Sequence, residues 1–548
     1  MKERFRQSMA WLHTWSGLVV GWVLFFVFVT GTAGYFNSEI TRWMQPELPL
    51  HQPRLQDNGK LVMAAMDRLQ EVAPTAEFWS ITLPHRSQAF RRWEDFSISW
   101  ETMPREGHEH GVFGSEVLDP GNGEGVNAID ARDTGGGGAL YVMHYALHYM
   151  DAELAFKLVG VCTMIMLVSL VSGIITHKKI FKDFFTFRPG KGQRSWLDAH
   201  NVMGVMALPF FLMITYSGLV FFGITYMPAG IAAIYGTDDK STERYFDDLF
   251  GDHSHKAITR PTASVPDMIA KAEAAWGQDQ VRSVFIQHDA GEEPQVDIGR
   301  VRGGQVRVFD AEIMRFHAHT GEPLSLDPPD GLTLRTDETL RALHEGRFAG
   351  PWLRWLYFIA GLLGCGMIGT GLVLWTVKRR KNHEATGGHC DLHPFWGLRL
   401  VEALNVATIA GLPAGVAAYF WANRLLPVEM ADRANWEMHF LFLIWGEALI
   451  YAFFRCSDLK GCRKAWVELL WLAAAAFALL PLINALTTDK HLLNTVAAGD
   501  WVLAGFDLTM LALGLAFGYM AIKVKRIWLK KAAQEAQTNN AALAGEAA

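Results

Sequence analysis

Histidines recur in this chain at one fixed offset from small-residue pairs. His13 is followed four residues later by Gly17 and eighteen later by Gly31, with Thr30 before it. His200 is followed four later by Gly204 and eighteen later by Gly218, with Ser217 before it. Two further apolar runs end in Ser172-Gly173 and Thr370-Gly371; His144 and His148 stand ahead of the first run and His344 ahead of the second. Histidine in or beside a membrane span is costly to bury and usually faces a partner or cavity. Neutral imidazole binds haem iron axially, and two imidazoles from different helices can sandwich one haem. The plainer reading makes these histidines headgroup-level polar residues and the glycines points of close helix packing. The repeated offset favours ligation for the set, and glycines and serines such as Gly17, Gly21, Ser169, Gly204, Gly361 and Gly366 would let a flat macrocycle approach the backbone.

The elements that must carry these residues are apolar runs at about 15–36, 154–176, 201–226, 353–377, 400–421, 437–454, 466–486 and 500–522. Each is long enough for a span of about 20 residues. Basic residues gather in alternate loops: Lys2, Arg4 and Arg6, then Lys178 to Arg194, Lys378 to Lys381, Arg455 to Lys464, and Lys523 to Lys531. The positive-inside rule therefore puts both termini in the cytoplasm and the long loops 37–153 and 227–352 outside. Each loop holds a helix-like stretch (Lys60–Val72; Val265–Trp276), and strand-like segments follow in the second at Val281–His288, Gln295–Ile298 and Gln305–Phe309. The expected fold class is thus a mainly α membrane protein of about eight transmembrane helices with two small α+β modules, Gly121–Gly125 and Gly135–Gly138 being linkers. Helix 1 occupies 1–36, the modules 37–153 and 227–352, helices 2 and 3 residues 154–226, and helix 4 with its loop 353–399. A four-helix unit at 400–522 and a tail at 523–548 complete the chain. The first two-thirds reads as a duplication of helix, outer module and helix. On this topology His13 and His200 enter from the cytoplasmic face, and His144, His148 and His344 lie at the outer one.

Half of the 548 residues are hydrophobic and the net charge is only −6, with 20 Trp. A disordered chain, a collagen or a nucleic-acid-binding protein is excluded, and membrane lipid is an expected neighbour. Cysteines 162, 365, 390, 456 and 462 form no framework, so no disulfide is expected.

The segments HTWSGLVVGWVLFFVFVTG (13–31), HYALH (144–148), Thr176–Asn201 and His344–Lys381 resemble the PepSY-associated transmembrane family, which includes iron-regulated membrane proteins and haem-containing ferric-siderophore reductases. The outer modules are similar to PepSY domains, Gln305–Pro323 with its His319-Thr320-Gly321-Glu322 turn most of all. The resemblance covers about the first 380 residues; 400–548 depart from the short members. It implies a haem-dependent oxidoreductase of the bacterial inner membrane. Two b-type haems would pass electrons from quinol or a cytoplasmic reductase to a periplasmic acceptor, such as a ferric siderophore. His13 and His200 would hold the inner haem, and His344 with either His148 or His144 the outer one. His177 is a further inner candidate, opposed by its plainer reading as a polar flank beside Lys178 and Lys179.

No dinucleotide fingerprint, HExxH, Walker A or GxSxG sequence is present, so the electron donor must come from outside the chain. His389-Cys390-x-x-His393 makes a weak zinc signal, and His108-Glu109-His110 and His253-Ser254-His255 read as solvated loop. Glu402, Glu447, Asp507 and His439 in the C-terminal runs suit a quinol or proton site, or equally interhelical pairing. Two other classes compete: a non-redox PepSY module that binds or inhibits a partner, and a transporter, for which the parallel repeat is the wrong kind.

Overall fold

The computed structural model describes residues 2–48, 57–86, 93–94, 96–104, 111–119, 131–177, 188–238, 240–242, 244–245, 256–288, 293–300, 313–324, 332–346, 348–385 and 396–546. The chain forms two compact units. One comprises Met1–Pro46, Arg132–Tyr216 and Trp355–Ala548, the other Glu47–Ala131 and Ser217–Arg354.

The first unit carries the spans. Seven helices among the described residues are long and apolar enough to cross a bilayer. An eighth candidate is broken: α6 (Gln193–Met206) and α7 (Leu208–Val220) meet at 67° where the sequence shows one run at 201–226. Pro209 accounts for the break, since it supplies no backbone N–H to the preceding turn and its ring crowds the carbonyl there. The other helices follow the apolar runs: α1 (Lys2–Gly34), α5 (Ala152–Thr176) and, entering from the second unit, α10 (Pro351–Ala385). Two shorter helices, α2 (Asn37–Met44) and α4 (Gly136–Ala146), lie between α1 and α5 in the chain.

Here the linker expected at Gly135–Gly138 is corrected. Gly136 and Gly137 open α4, and a side chain at 137 would drive into the backbone of Asn37, so these glycines allow α4 to lie against α2. Gly136 also sits at φ +56°, a conformation that costs glycine little.

The C-terminal helices are α11 (Trp396–Val406), a π-turn at Ala407–Gly411, α12 (Leu412–Leu425), α13 (Arg433–Arg455), α14 (Leu459–Ala478), α15 (Leu480–Thr487) and α16 (Trp501–Glu546). Ala403, Ala407, Ala410, Ala448, Ala452 and Ala465 fill their shared core. Small residues let helix backbones approach where no hydrophobic force drives them together.

In the second unit the two expected modules are halves of one sheet. To this sheet each loop contributes a helix and three strands: α3 (Asn58–Val72) with β1 (Ala76–Thr82), β2 (Ser97–Thr102) and β3 (Phe113–Val117), then α8 (Val265–Trp276) with β4 (Val281–His288), β5 (Pro294–Arg300) and β6 (Ile313–His317), after which α9 (Leu332–Glu345) carries His344. The antiparallel order is β3-β2-β1-β4-β5-β6, and the halves join where Trp79 faces Ile286 and Ile81 faces Val284. Leu61, Met66 and Leu69 of α3 and Val265, Met268 and Ile269 of α8 cover one face with Trp79, Ile81, Val284, Ile298 and Phe316 in a single core. Both helices start at side-chain caps, Asp57 accepting from Gly59 N–H and Ser264 from Asp267 N–H. The strand expected at Gln305–Phe309 and the Gly121–Gly125 segment lie outside the described residues.

Candidate functional site

The histidines and the Ser/Thr-Gly pairs, separate in the sequence, meet in the structure. Each glycine of a pair faces the histidine ring of another helix. A Cβ built at Gly173 would stand 3.1 Å from His13 Cε1, at Gly371 3.1 Å from His200 Cε1, at Gly218 2.8 Å from His344 Cε1, and at Gly31 it would overlap the His144 ring. The polar contacts repeat as well. His13 Nδ1 donates to Ser169 O, His200 Nδ1 to Met367 O and His144 Nδ1 to Val27 O, each at 2.8 Å, and in all three the acceptor precedes the facing glycine by four residues. His344 Nδ1 is 3.2 Å from Ser217 Oγ, beside its own glycine, and Phe221 packs 5.4 Å from its ring.

A carbonyl only accepts, so the proton of a neutral imidazole sits on Nδ1 in His13, His200 and His144, and Nε2 carries the lone pair. Among the described residues no group hydrogen-bonds Nε2 of His13 or His200. An Nδ1–H held by a carbonyl is the arrangement that orients a metal-binding imidazole and raises its basicity.

His13 and His200 come together as a pair. Their ring centroids lie 6.1 Å apart with planes at 63°. Metal–imidazole bonds of about 2 Å on opposite sides of one ion put two centroids roughly 6 Å apart. The residues present therefore fit a bis-imidazole haem. Gly17, one turn after His13, has nothing within 4 Å of where a Cβ would stand, and Gly204, one turn after His200, meets only Met367. Next to them Arg379 lies over the rings of Trp15 and Trp375, 5.9 and 5.0 Å from their centroids.

The other glycines expected to make room are packed by the protein. A Cβ would collide with Leu372 at Gly21, Thr32 at Gly361, Phe28 at Gly364 and Met203 at Gly366. Those positions serve helix packing.

His148 and His177 occupy different surroundings from the four seated rings. His148 stacks on Phe442, 5.2 Å away at 12°, and faces none of these glycines. His177 Nε2 accepts from Asn201 Nδ2 at 2.9 Å, next to His200 in the chain. His144 thus shares the geometry of His13 and His200, a distinction the sequence left open. The missed signal is the carbonyl four residues before each pair glycine, which has meaning only once the facing helix is known.

In the C-terminal helices Glu402 pairs with Arg380, Asp507 accepts from Trp43 Nε1 and Asn484 Nδ2, and Glu447 is exposed on α13. Interhelical pairing is the role the structure gives Glu402 and Asp507. No group of three His, Cys, Asp or Glu suited to a metal occurs among the described residues. The segments His108–His110, His253–His255 and His389–His393 lie outside them. The four described cysteines, Cys162, Cys365, Cys456 and Cys462, are free thiols.

Duplicated helices with facing histidines, together with one α+β sheet unit, define a multi-pass membrane protein. The sequence model of the PepSY-associated TM region matches residues 10–378, and the chain belongs to that family. A Pseudomonas aeruginosa relative, "Uncharacterized protein PA4219", is 25% identical over 396 residues, covering 68% of this chain and 90% of its own length. The family match ends with α10 and leaves the C-terminal helices outside it.

Proposed function

We propose that this protein is a haem-dependent oxidoreductase that carries electrons across the bacterial inner membrane on two b-type haems and reduces a periplasmic ferric chelate such as a ferric siderophore. The observation that carries this reading is the His13–His200 pair, two rings 6.1 Å apart, each held at Nδ1 and open at Nε2. In the proposal these two residues hold the inner haem, and His144 and His344, each seated against a pair glycine within its own unit, are candidate ligands for a second haem. Bound haem supplies a one-electron carrier whose potential its axial ligands and surroundings set.

The rest is work for the chain's own residues. Ser169 O and Met367 O keep the two rings in the tautomer that presents Nε2. Gly173 and Gly371 let those rings lie against α5 and α10. Arg379 supplies a cation at the same end, where the basic residues after Val377 and those at the N-terminus support a cytoplasmic face. With both termini inside, the sheet unit lies in the periplasm and meets the acceptor there. Ferric iron needs one electron to loosen its grip on hard oxygen ligands, so no catalytic acid, base or nucleophile is required. Quinol or a cytoplasmic reductase is the donor.

An oxidised-minus-reduced visible spectrum of the purified protein tests the proposal. Two low-spin b-type haems per chain are expected; no Soret band would end it. Stopped-flow mixing of the dithionite-reduced, desalted protein with ferric siderophores then tests the acceptor, with rapid reoxidation expected in the parent and loss of it in His344→Ala.

A further inference from the structure

His148 remains outside the pattern of seated histidines, and its surroundings are unusual. Leu147 and Tyr149, on either side of it, have φ of 54° and 59°, and only Asp279 and Asp432 share that left-handed conformation among the described non-glycine residues. Side chains other than glycine adopt it at a cost, and such residues gather where a site needs a particular orientation. The turn lays His148 flat on Phe442 (5.2 Å, 12°) and Tyr149 flat on His439 (5.6 Å, 15°). The Tyr149 hydroxyl and His439 Nδ1 share a hydrogen bond, and Trp436 meets the His439 ring edge-on at 5.3 Å. The rings of His148 and Tyr149 are 4.2 Å apart. His148 Nε2 is sealed from solvent and has no hydrogen-bond partner among the described residues. A buried polar atom without a partner is uncommon and calls for a ligand, a water or a functional reason.

We propose that this cluster, between the α4–α5 turn and the start of α13, binds the headgroup of a membrane quinol. The chemistry matches on three counts. Flat aromatic faces suit a planar ring. His148 Nε2 suits one ring hydroxyl, and the Tyr149–His439 pair suits the other. Leu154, Trp436 and Leu443 around the cluster are exposed apolar side chains on membrane helices, so a quinol arrives at the cluster from the lipid, and the His148 ring must turn for its Nε2 to meet the hydroxyl. Oxidation of one quinol to quinone breaks two O–H bonds. One proton passes to His148 Nε2; the other passes to Tyr149 as its own proton moves to His439. The two electrons leave singly to ferric haem. That last step rests on the proposed function, whereas headgroup binding does not.

The test uses the full chain in detergent, stripped of endogenous quinone, with an azido-ubiquinone photoprobe and competition by decyl-ubiquinone. Competable labelling mapped by mass spectrometry to 145–151 or 436–443 is expected; labelling confined elsewhere overturns the proposal. His148→Phe keeps an aromatic stack on Phe442 while removing the nitrogen, and should weaken decyl-ubiquinone binding at least tenfold with the haem spectrum unchanged. Unchanged affinity overturns the proposal, and so does loss of one haem equivalent, which would make His148 an axial ligand. Haem content is read on the same samples, so a protein that binds quinone without haem sinks the electron-transfer reading and leaves this site standing.

Discussion

The duplicated helices and the C-terminal helices both hold polar side chains among apolar ones, and they treat them in opposite ways. In the C-terminal part the polar groups close on each other. Both oxygens of Glu437 are used: Asn423 and Arg433 donate to one, Thr134 and the Gly135 N–H to the other. Asp507 divides its oxygens between Trp43 and Asn484, and Arg424 reaches Asn423, Asn484 and the Trp43 carbonyl while lying 3.7 Å from the Trp43 ring centroid. Around His13 and His200 one ring nitrogen is fixed and the other is left open. Satisfied polarity holds helices together; polarity satisfied on one side only is ready for a ligand.

Four sets of measurements would break or sharpen this contrast. The largest expected effect is on cofactor content: His13→Ala or His200→Ala should each abolish one of two haem equivalents, measured by pyridine haemochrome, while His439→Ala keeps both. Equal losses in all three would erase the contrast. Next, Arg433→Met should lower stability by about 3–5 kcal/mol by leaving the Glu437 carboxylate buried without its cation. Detergent-solubilised thermal unfolding measures this, and the haem spectrum of the surviving fold should not change.

A graded effect is expected at the facing glycines. Gly31→Ala would place its methyl group inside the His144 ring and should displace it, whereas Gly371→Ala, at 3.1 Å, asks His200 to yield only a few tenths of an ångström. Midpoint potentials and low-spin electron paramagnetic resonance signals should therefore shift more in the first variant than in the second; the reverse order would mean the rings are not fixed by these contacts. The smallest effect concerns the sheet unit. Asp57→Ala should cost about 1 kcal/mol by removing the cap of α3, seen as a lower unfolding temperature with both haems retained.

Several of these features were legible in the sequence. The helix at Val265–Trp276 and the strand at Val281–His288 match the structure residue for residue, because Ser264 caps the one and the other alternates between faces. The histidine offsets and the Ser/Thr-Gly pairs were visible too. What they lacked was each other: His13 faces Gly173 and His200 faces Gly371, and spacing along a chain does not say which helix lies alongside which. For the same reason His144 and His148 looked equivalent until the Val27 carbonyl separated them. The run at 201–226 hid its break because Pro209 sits in an otherwise unbroken apolar stretch, and hydropathy does not register a missing N–H. Gly135–Gly138 looked like a linker because glycine marks close backbone approach as readily as freedom.

The shared sheet also bears on how the chain matures. β1 pairs with β2 at once but gains its second neighbour only when β4 arrives, about two hundred residues later in synthesis. Until then the edge from Trp79 to Thr82 offers unpaired amides and carbonyls to any passing strand. The first half is therefore an unfinished product for as long as the intervening spans are being inserted, and a chain interrupted before Val281 would leave a sticky half-sheet. Each half repeats a helix and three strands, and the pairing of β1 with β4 makes each dependent on the other.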